Sequence, residues 1–251
     1  MPRKLTLGQA ALLGALHGPA ELLPVSSSGH TALVPQLAGW AYADLPGDLR
    51  KTFEIALHAG TLPALVVLVP TPRPALLVVS TIPPALAGLL FEDLVEERLG
   101  TTRGIALGLL LGSAAMLLAD AIGDRSRTDA GAATAADALV VGLAQACALV
   151  PGASRLGLSV AAARLRGFDR PAAFALARGA GLPVIAGATA LKTVRLARRG
   201  LPRELRAPFA VGAVAALAST FAAAPLRAAT SVVPAAAERA LLAGAALVRA
   251  R

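Results

Sequence analysis

Leu22-Leu23-Pro24-Val25-Ser26-Ser27-Ser28-Gly29-His30-Thr31 interrupts an apolar run that begins at Leu5, and Ala148-Leu149-Val150-Pro151-Gly152-Ala153-Ser154-Arg155-Leu156 interrupts another that begins at Ala138. Proline, glycine and clustered polar side chains stand where the middle of a buried helix is expected. Around these breaks lie uncharged stretches at 55–72, 74–91, 104–119, 179–191 and 207–226, and a last one after Arg239. Each approaches the roughly 17–25 residues that a helix needs to cross about 30 Å of hydrocarbon. The runs are rich in Ala, Leu and Val and lack strand-like alternation, so they read as helices rather than barrel strands.

Composition agrees. Of 251 residues, 56% are hydrophobic and only 16% charged, with mean hydropathy +0.67, whereas soluble domains carry about 25% charged residues. Disorder and collagen-like repeats are excluded. The net charge of +9 raises nucleic acid as a partner, but aromatics make up only 3% and the basic residues sit between apolar runs. That is the pattern of membrane loops, so no nucleic acid is expected. Cys147, alone of its kind, rules out an intramolecular disulfide or a cysteine-cluster metal site, and reads as a small packing residue.

Irregular backbone at membrane depth is tolerated only where protein or a water-filled cavity surrounds it. Both breaks therefore read as tips of re-entrant hairpins, near 24–30 and 151–159. They are also copies of one pattern. Gly14-Ala15-Leu16-His17 precedes Pro24 as Gly142-Leu143-Ala144-Gln145 precedes Pro151, and Phe53, Ala59, Gly60 and Pro63 are echoed by Phe174, Ala180, Gly181 and Pro183. Such internal symmetry with interrupted segments points to an inverted repeat whose site lies near the midplane. The halves are 1–121 and 137–251, in a single membrane domain.

One hairpin and three crossings per half bring the second hairpin in from the side opposite the first. The side holding both termini collects 14 Lys and Arg, the other seven, so the positive-inside rule expects cytoplasmic termini. Arg3-Lys4 before an apolar run also fits a secretory signal, although the run continues into a tip with a later counterpart.

At the first tip, Glu21, Ser26, Ser27, Ser28 and His30 fall within ten residues of otherwise apolar chain. Ionisable groups inside a membrane are costly and mark function. A serine-rich interfacial turn with a solvated Glu is the plainer reading. Histidine beside serine supplies acid–base and nucleophilic chemistry. At the second tip, Arg155 follows Gly152 and Ser154. Its planar fork of donors suits phosphate oxygens, and glycine-rich backbone opening a helix adds N–H donors. An arginine snorkelling to the interface is the alternative.

His17-Gly18-Pro19-Ala20-Glu21-Leu22-Leu23-Pro24-Val25-Ser26-Ser27-Ser28-Gly29-His30 resembles the first signature of bacterial undecaprenyl-diphosphate phosphatases of the bacitracin-resistance type, and Pro151-Gly152-Ala153-Ser154-Arg155-Leu156-Gly157-Leu158-Ser159 resembles the second. Lys51-Thr52-Phe53-Glu54, His58-Ala59-Gly60-Thr61 and Gly88-Leu89-Leu90-Phe91-Glu92-Asp93 are similar to further segments. The resemblance implies an all-α integral membrane enzyme of the inner membrane, with six transmembrane helices and two re-entrant helical hairpins. It would convert a polyprenyl diphosphate to the monophosphate, recycling the lipid carrier of cell-wall synthesis, at a site open to the outer face.

The same resemblance gives Ser27 as nucleophile or phosphate ligand, His30 as acid–base partner, Glu21 as catalytic or metal-binding carboxylate and Arg155 as the diphosphate clamp. Ser26, Ser28, Gly152, Ser154 and Ser159 would bind substrate. Mg²⁺ or Ca²⁺ is the implied cofactor, with Glu21 as its carboxylate ligand; His17, one helical turn away, either shares that face as a second ligand or is a packed, hydrogen-bonded residue, and a homodimer is compatible with these expectations.

Four positions depart from the family's pattern. His17 stands where Glu or Gln is usual, Leu156 replaces a serine, Ser159 replaces a threonine, and Arg178 occupies an apolar position. The loss of an acidic group at 17, together with broken helices in an inverted repeat, also fits a carrier-lipid transporter or non-hydrolytic lipid-binding protein. Trp40 and Tyr42 read as interface markers and His58 as a packing residue. Glu54 fits a loop end or a cavity wall. Arg239, beside Glu238, fits a local pair or a reach toward phosphate.

Overall fold

A computed structural model describes residues 5–250, and among these the chain is all-helical. Arg3 and Lys4, which carry the signal-like reading, lie outside the described residues. Ten helices follow in order: α1 (Leu7–Leu22), α2 (Ser27–Ala38), α3 (Gly47–Leu68), α4 (Pro74–Leu99), α5 (Thr102–Ile122), α6 (Ala135–Cys147), α7 (Arg155–Leu165), α8 (Arg170–Arg199), α9 (Arg203–Ala222) and α10 (Val233–Arg249). Five of them, α3, α4, α5, α8 and α9, are long and apolar enough to span a bilayer. The last expected crossing falls in α10, whose 17 residues extend about 25 Å. The protein is a multi-pass membrane protein.

The packing is inverted relative to a soluble domain. Val67, Leu89, Leu90, Leu111, Leu241 and Val248 are exposed, while His17, Glu21, Asp120, Arg164 and Arg239 are buried. Apolar side chains that would face water in isolation meet lipid tails instead. Cys147 is exposed rather than packed. Tyr42 is buried, stacked edge-on against Phe53 at 5.4 Å, and donates to the Arg50 carbonyl, so it belongs to the core and not to an interfacial belt.

Both expected breaks are present and alike. α1 stops at Leu22 because Leu23 precedes Pro24, which pushes it into extended backbone (ψ 150°). Ser26 then takes φ 73° and Ser154 takes φ 71°. A positive φ is uncommon for a non-glycine residue. Each serine repays the strain by capping the helix that follows: Ser26 Oγ accepts the Gly29 N–H at 3.3 Å and Ser154 Oγ accepts the Gly157 N–H at 3.1 Å. Upstream, Thr6 and Thr134 form matching capping boxes with Gln9 and Asp137.

The halves also pack reciprocally. α1 lies on α9 as α6 lies on α4, and α3 meets α9 as α8 meets α4. The echoed glycines explain how closely these helices approach. A Cβ on Gly14 would stand 2.3 Å from the Gly212 carbonyl, and one on Gly142 would stand 2.7 Å from that of Ser80.

One end of the bundle gathers the start of α1, α3, α5 and α9 and the finish of α2, α4, α8 and α10. Leu5, Tyr42 and Leu205 cluster there, Thr102 donates to Gln36 and Arg249 to the Leu37 carbonyl. We call it the terminal end. At the far end Asp137 is clamped by Arg127 at 2.8 Å and Arg166 at 2.7 Å. Burial pushes the Asp137 carboxyl up, but the two guanidinium groups and the Thr134 N–H pull it down harder, to well below the usual carboxylate range.

Candidate active site

The two tips meet. Glu21, on the last turn of α1, contacts Arg155, the first residue of α7, with Oε2 3.0 Å from the guanidinium. Its other oxygen, Oε1, accepts the Ser27 hydroxyl at 2.6 Å. One buried carboxylate thus holds the serine of one hairpin and the arginine of the other. Ser27 and Arg155 are the first helical residues of α2 and α7, so two helix N-termini, with unsatisfied N–H groups and positive dipole ends, converge on the same place.

Arg239 fixes this arrangement from behind. Fully buried on α10, it donates to the carbonyls of Pro24, Gly152, Ala153 and Leu109, each at 3.0 Å. It therefore ties both tips to α5, and it neither pairs with its neighbour Glu238 nor reaches the cavity. That neighbour contacts His30 instead, Oε1 to Nε2 at 2.8 Å.

A cavity of about 580 Å³ opens beside the tips. Glu21, Ser26, Ser27, Ser28, Ser154 and Arg155 line its inner wall, together with Glu54 and His58. Apolar residues of α4 and α8, among them Pro84, Leu89, Val184 and Leu191, form a flank. Lys51, Glu92, Glu96, Lys192 and Arg195 line the mouth, where Lys51 pairs with Glu96 at 3.6 Å and Lys192 with Glu92 at 2.5 Å. The mouth lies at the terminal end. Toward the far end the site is shut by a cluster of Leu22, Leu65, Val69, Leu182, Ile185 and Ala223. Arg178 seals that plug, donating to the carbonyls of Leu22 at 3.1 Å and Arg227 at 3.0 Å.

Several expected roles change. His30 does not reach the Ser27 hydroxyl, since Nδ1 donates to the Ser26 carbonyl at 2.9 Å and Nε2 faces Glu238. Gly152 is a turn residue with φ 86°, backed against the Ile105 carbonyl, and is absent from the cavity wall. Ser159 is fully buried on α7 and does not line the cavity either. α7 is wedged among α5, α6 and α8, so only its first turn faces the open space.

His58, expected to be mere packing, is part of the site. Its Nε2 stands 3.3 Å from Glu21 Oε1 and its Nδ1 donates to the Glu54 carbonyl at 2.9 Å. His17 approaches the same oxygen at 3.6 Å. The helix of His58 supplies only the Glu54 backbone carbonyl, which any residue at position 54 would offer, so local sequence held no signal for this role. The histidines, with a single carboxylate already shared by Ser27 and Arg155, do not make the oxygen cage that Mg²⁺ or Ca²⁺ prefers.

The family profile of bacitracin resistance protein BacA matches residues 10–72 and 71–231. The chain belongs to the BacA family. The two matched pieces meet in the short α3–α4 turn. Among BacA relatives, the undecaprenyl-diphosphatase of Pelobacter propionicus is 38% identical over 235 residues, covering 84% of this chain and 83% of its own. That of Geobacter sulfurreducens is 38% identical over 227 residues, covering 81% of each, and that of Thermomicrobium roseum 34% identical over 244, covering 85% of each.

Proposed function

We propose that this BacA-family protein is a membrane phosphatase that hydrolyses undecaprenyl, or a related polyprenyl, diphosphate to the lipid monophosphate and inorganic phosphate, recycling the cell-wall lipid carrier. The observation that carries this reading is the shared Glu21 carboxylate, which sets Ser27 and Arg155 on one cavity. The diphosphate sits against the two helix N-termini with Arg155 as its clamp, and the isoprenoid tail lies along the apolar flank of α4 and α8.

Ser27 Oγ attacks the terminal phosphorus and passes its proton to Glu21 Oε1. The bridging P–O bond breaks, its electron pair leaving with the lipid monophosphate, and water then releases phosphate from the serine. Arg155 neutralises charge building on the phosphoryl oxygens, and Ser154 and Ser28 add hydroxyl donors. His30 is a positioning residue: it holds the Ser26 carbonyl and so the entry to α2.

Two re-entrant hairpins in a six-span inverted repeat, with halves 1–121 and 137–251, are the membrane arrangement we propose. Its support is the matched serine caps and the reciprocal packing of α1 on α9 and α6 on α4. An outward mouth and cytoplasmic termini exclude one another in this conformation, because both lie at the terminal end. We place the mouth, and the termini with it, outside. Lys51, Lys192 and Arg195, three of the 14 basic residues counted on that side, line the cavity mouth and face an anionic substrate; the 11 that remain still outnumber the seven opposite, so this placement goes against the positive-inside count.

The test is phosphate release from a polyprenyl diphosphate by the purified chain in detergent. Wild type should release phosphate and Ser27→Ala should not. Lipid movement across vesicles with no phosphate released would replace hydrolysis with the transport that the plugged far end and reciprocal halves also suit.

A further inference from the structure

His17, Glu21 and His58 offer one ligand atom each, all within 4.8 Å of one another. Ligands about 2.0–2.1 Å from a tetrahedral Zn²⁺ stand about 3.3–3.4 Å apart. Glu21 Oε1 lies 3.3 Å from His58 Nε2 and 3.6 Å from His17 Nε2. Both separations from the carboxylate are thus close to that spacing, and the two imidazoles, edge to face with ring centres 4.5 Å apart, need only a small shift to close on one small cation.

Their hydrogen bonding says the same. His58 donates its Nδ1–H to the Glu54 carbonyl, the partner that fixes the tautomer of a ligating histidine and turns its Nε2 lone pair inward. That lone pair faces a carboxylate oxygen, which is repulsive unless a cation lies between them. A proton on His58 would settle that one contact. It would leave His17, whose ring is 1% exposed and whose two nitrogens have no hydrogen-bond partner. A buried polar group without a partner costs about 1–3 kcal/mol. One metal ion satisfies all three side chains. Glu21 keeps Oε2 for Arg155, while Oε1, which accepts the Ser27 hydroxyl, would be shared with the cation, so a bound metal would lower the proton affinity of that oxygen and the acidity it gives Ser27 would come from the metal as well. Glu21 and His58 both line the main cavity, so the carboxylate and one imidazole are reached from it.

We propose that His17, Glu21 and His58 form a two-histidine, one-carboxylate site for a nitrogen-preferring divalent ion such as Zn²⁺, with Mg²⁺ and Ca²⁺ discriminated against. Imidazole suits Zn²⁺, whereas the hard cations take oxygen ligands. The imidazole of His17, as the second nitrogen ligand, therefore sets which metal the site accepts. The inference places a metal beside the serine proposed above as nucleophile, but it is read without substrate.

The experiment uses Co²⁺ as the probe. Purified full-length protein, stripped with chelator, is titrated with Co²⁺ while the visible d–d absorption of the ion is recorded. One Co²⁺ per chain should bind, be displaced by Zn²⁺, and be unaffected by excess Mg²⁺ or Ca²⁺. His17→Gln and His58→Gln should each weaken binding by at least about 100-fold, while His30→Gln should not change it. His17→Glu should move selectivity toward Mg²⁺. His17→Gln keeps a polar side chain of similar size on α1, and a monodisperse elution profile certifies its fold. No absorption band, a band that survives in both histidine variants, or displacement by Mg²⁺ as effective as by Zn²⁺ overturns the proposal. Phosphate release without Co²⁺ binding removes the metal site and keeps the hydrolase; Co²⁺ binding without phosphate release does the reverse.

Discussion

Glu21 and Arg155 stand 134 residues apart in the chain and 3.0 Å apart in space. The contact joins the two halves at their polar tips, and its partner on the other side is Gly181 of α8. A Cβ at that position would lie 1.9 Å from Arg155 NH1. Glycine here keeps room for the guanidinium.

Gly181→Ala should accordingly displace Arg155 without unfolding the chain, since what must move is the end of a flexible side chain. We expect kcat/KM for phosphate release to fall about 100-fold, the usual effect of a misplacement near 1 Å, while stability shifts by no more than about 1 kcal/mol. Thermal unfolding measured beside kinetics checks it; unchanged kinetics would mean that Arg155 does not clamp the substrate from this position.

The orientation of the mouth is open to labelling. In a Cys147→Ala background, Asp44→Cys places a thiol on an exposed residue at the terminal end and Arg125→Cys places one at the far end. A membrane-impermeant maleimide added to intact spheroplasts should label the first and spare the second. The opposite pattern would put the cavity mouth on the cytoplasmic side.

Asp137 gives a pH dependence of stability. Its folded carboxyl is held below its unfolded value, near 4, so its contribution is complete above that value and is lost as pH falls toward the depressed one. Asp137→Asn should cost about 2 kcal/mol at neutral pH. The gap from wild type, read as thermal unfolding across pH, should narrow only under acid conditions. A constant gap down to strongly acid pH would mean that the Arg127 and Arg166 pairs add nothing to stability.

The helical membrane fold and its two breaks were legible because proline, serine and glycine in hydrocarbon have few structural uses. Glu21, Ser27 and Arg155 were legible for the same reason, as polar groups at the breaks. His58 was not: a lone histidine in an apolar helix announces nothing until α1 lays Glu21 against it. Glu238 was hidden in the same way, since its partner His30 comes from α2. Ser159 and Gly152 share a motif with Arg155 but not its surroundings, because α7 turns all but its first turn into the protein. Arg239 fitted a local pair with Glu238 or a reach toward phosphate and is instead the cation that satisfies the carbonyls freed where both helices break. Which side of a helix is covered depends on its neighbours, and local sequence does not name them.

The central claim is that Ser27 and Arg155 act as one unit on one diphosphate, and a double-mutant cycle on phosphate release tests it most directly. Ser27→Ala and Arg155→Ala should each lower kcat by about 10³, and the double variant should fall within about tenfold of the worse single variant, as groups serving one transition state do. Two losses that simply multiply, or an Arg155→Ala enzyme of normal rate, would contradict the account.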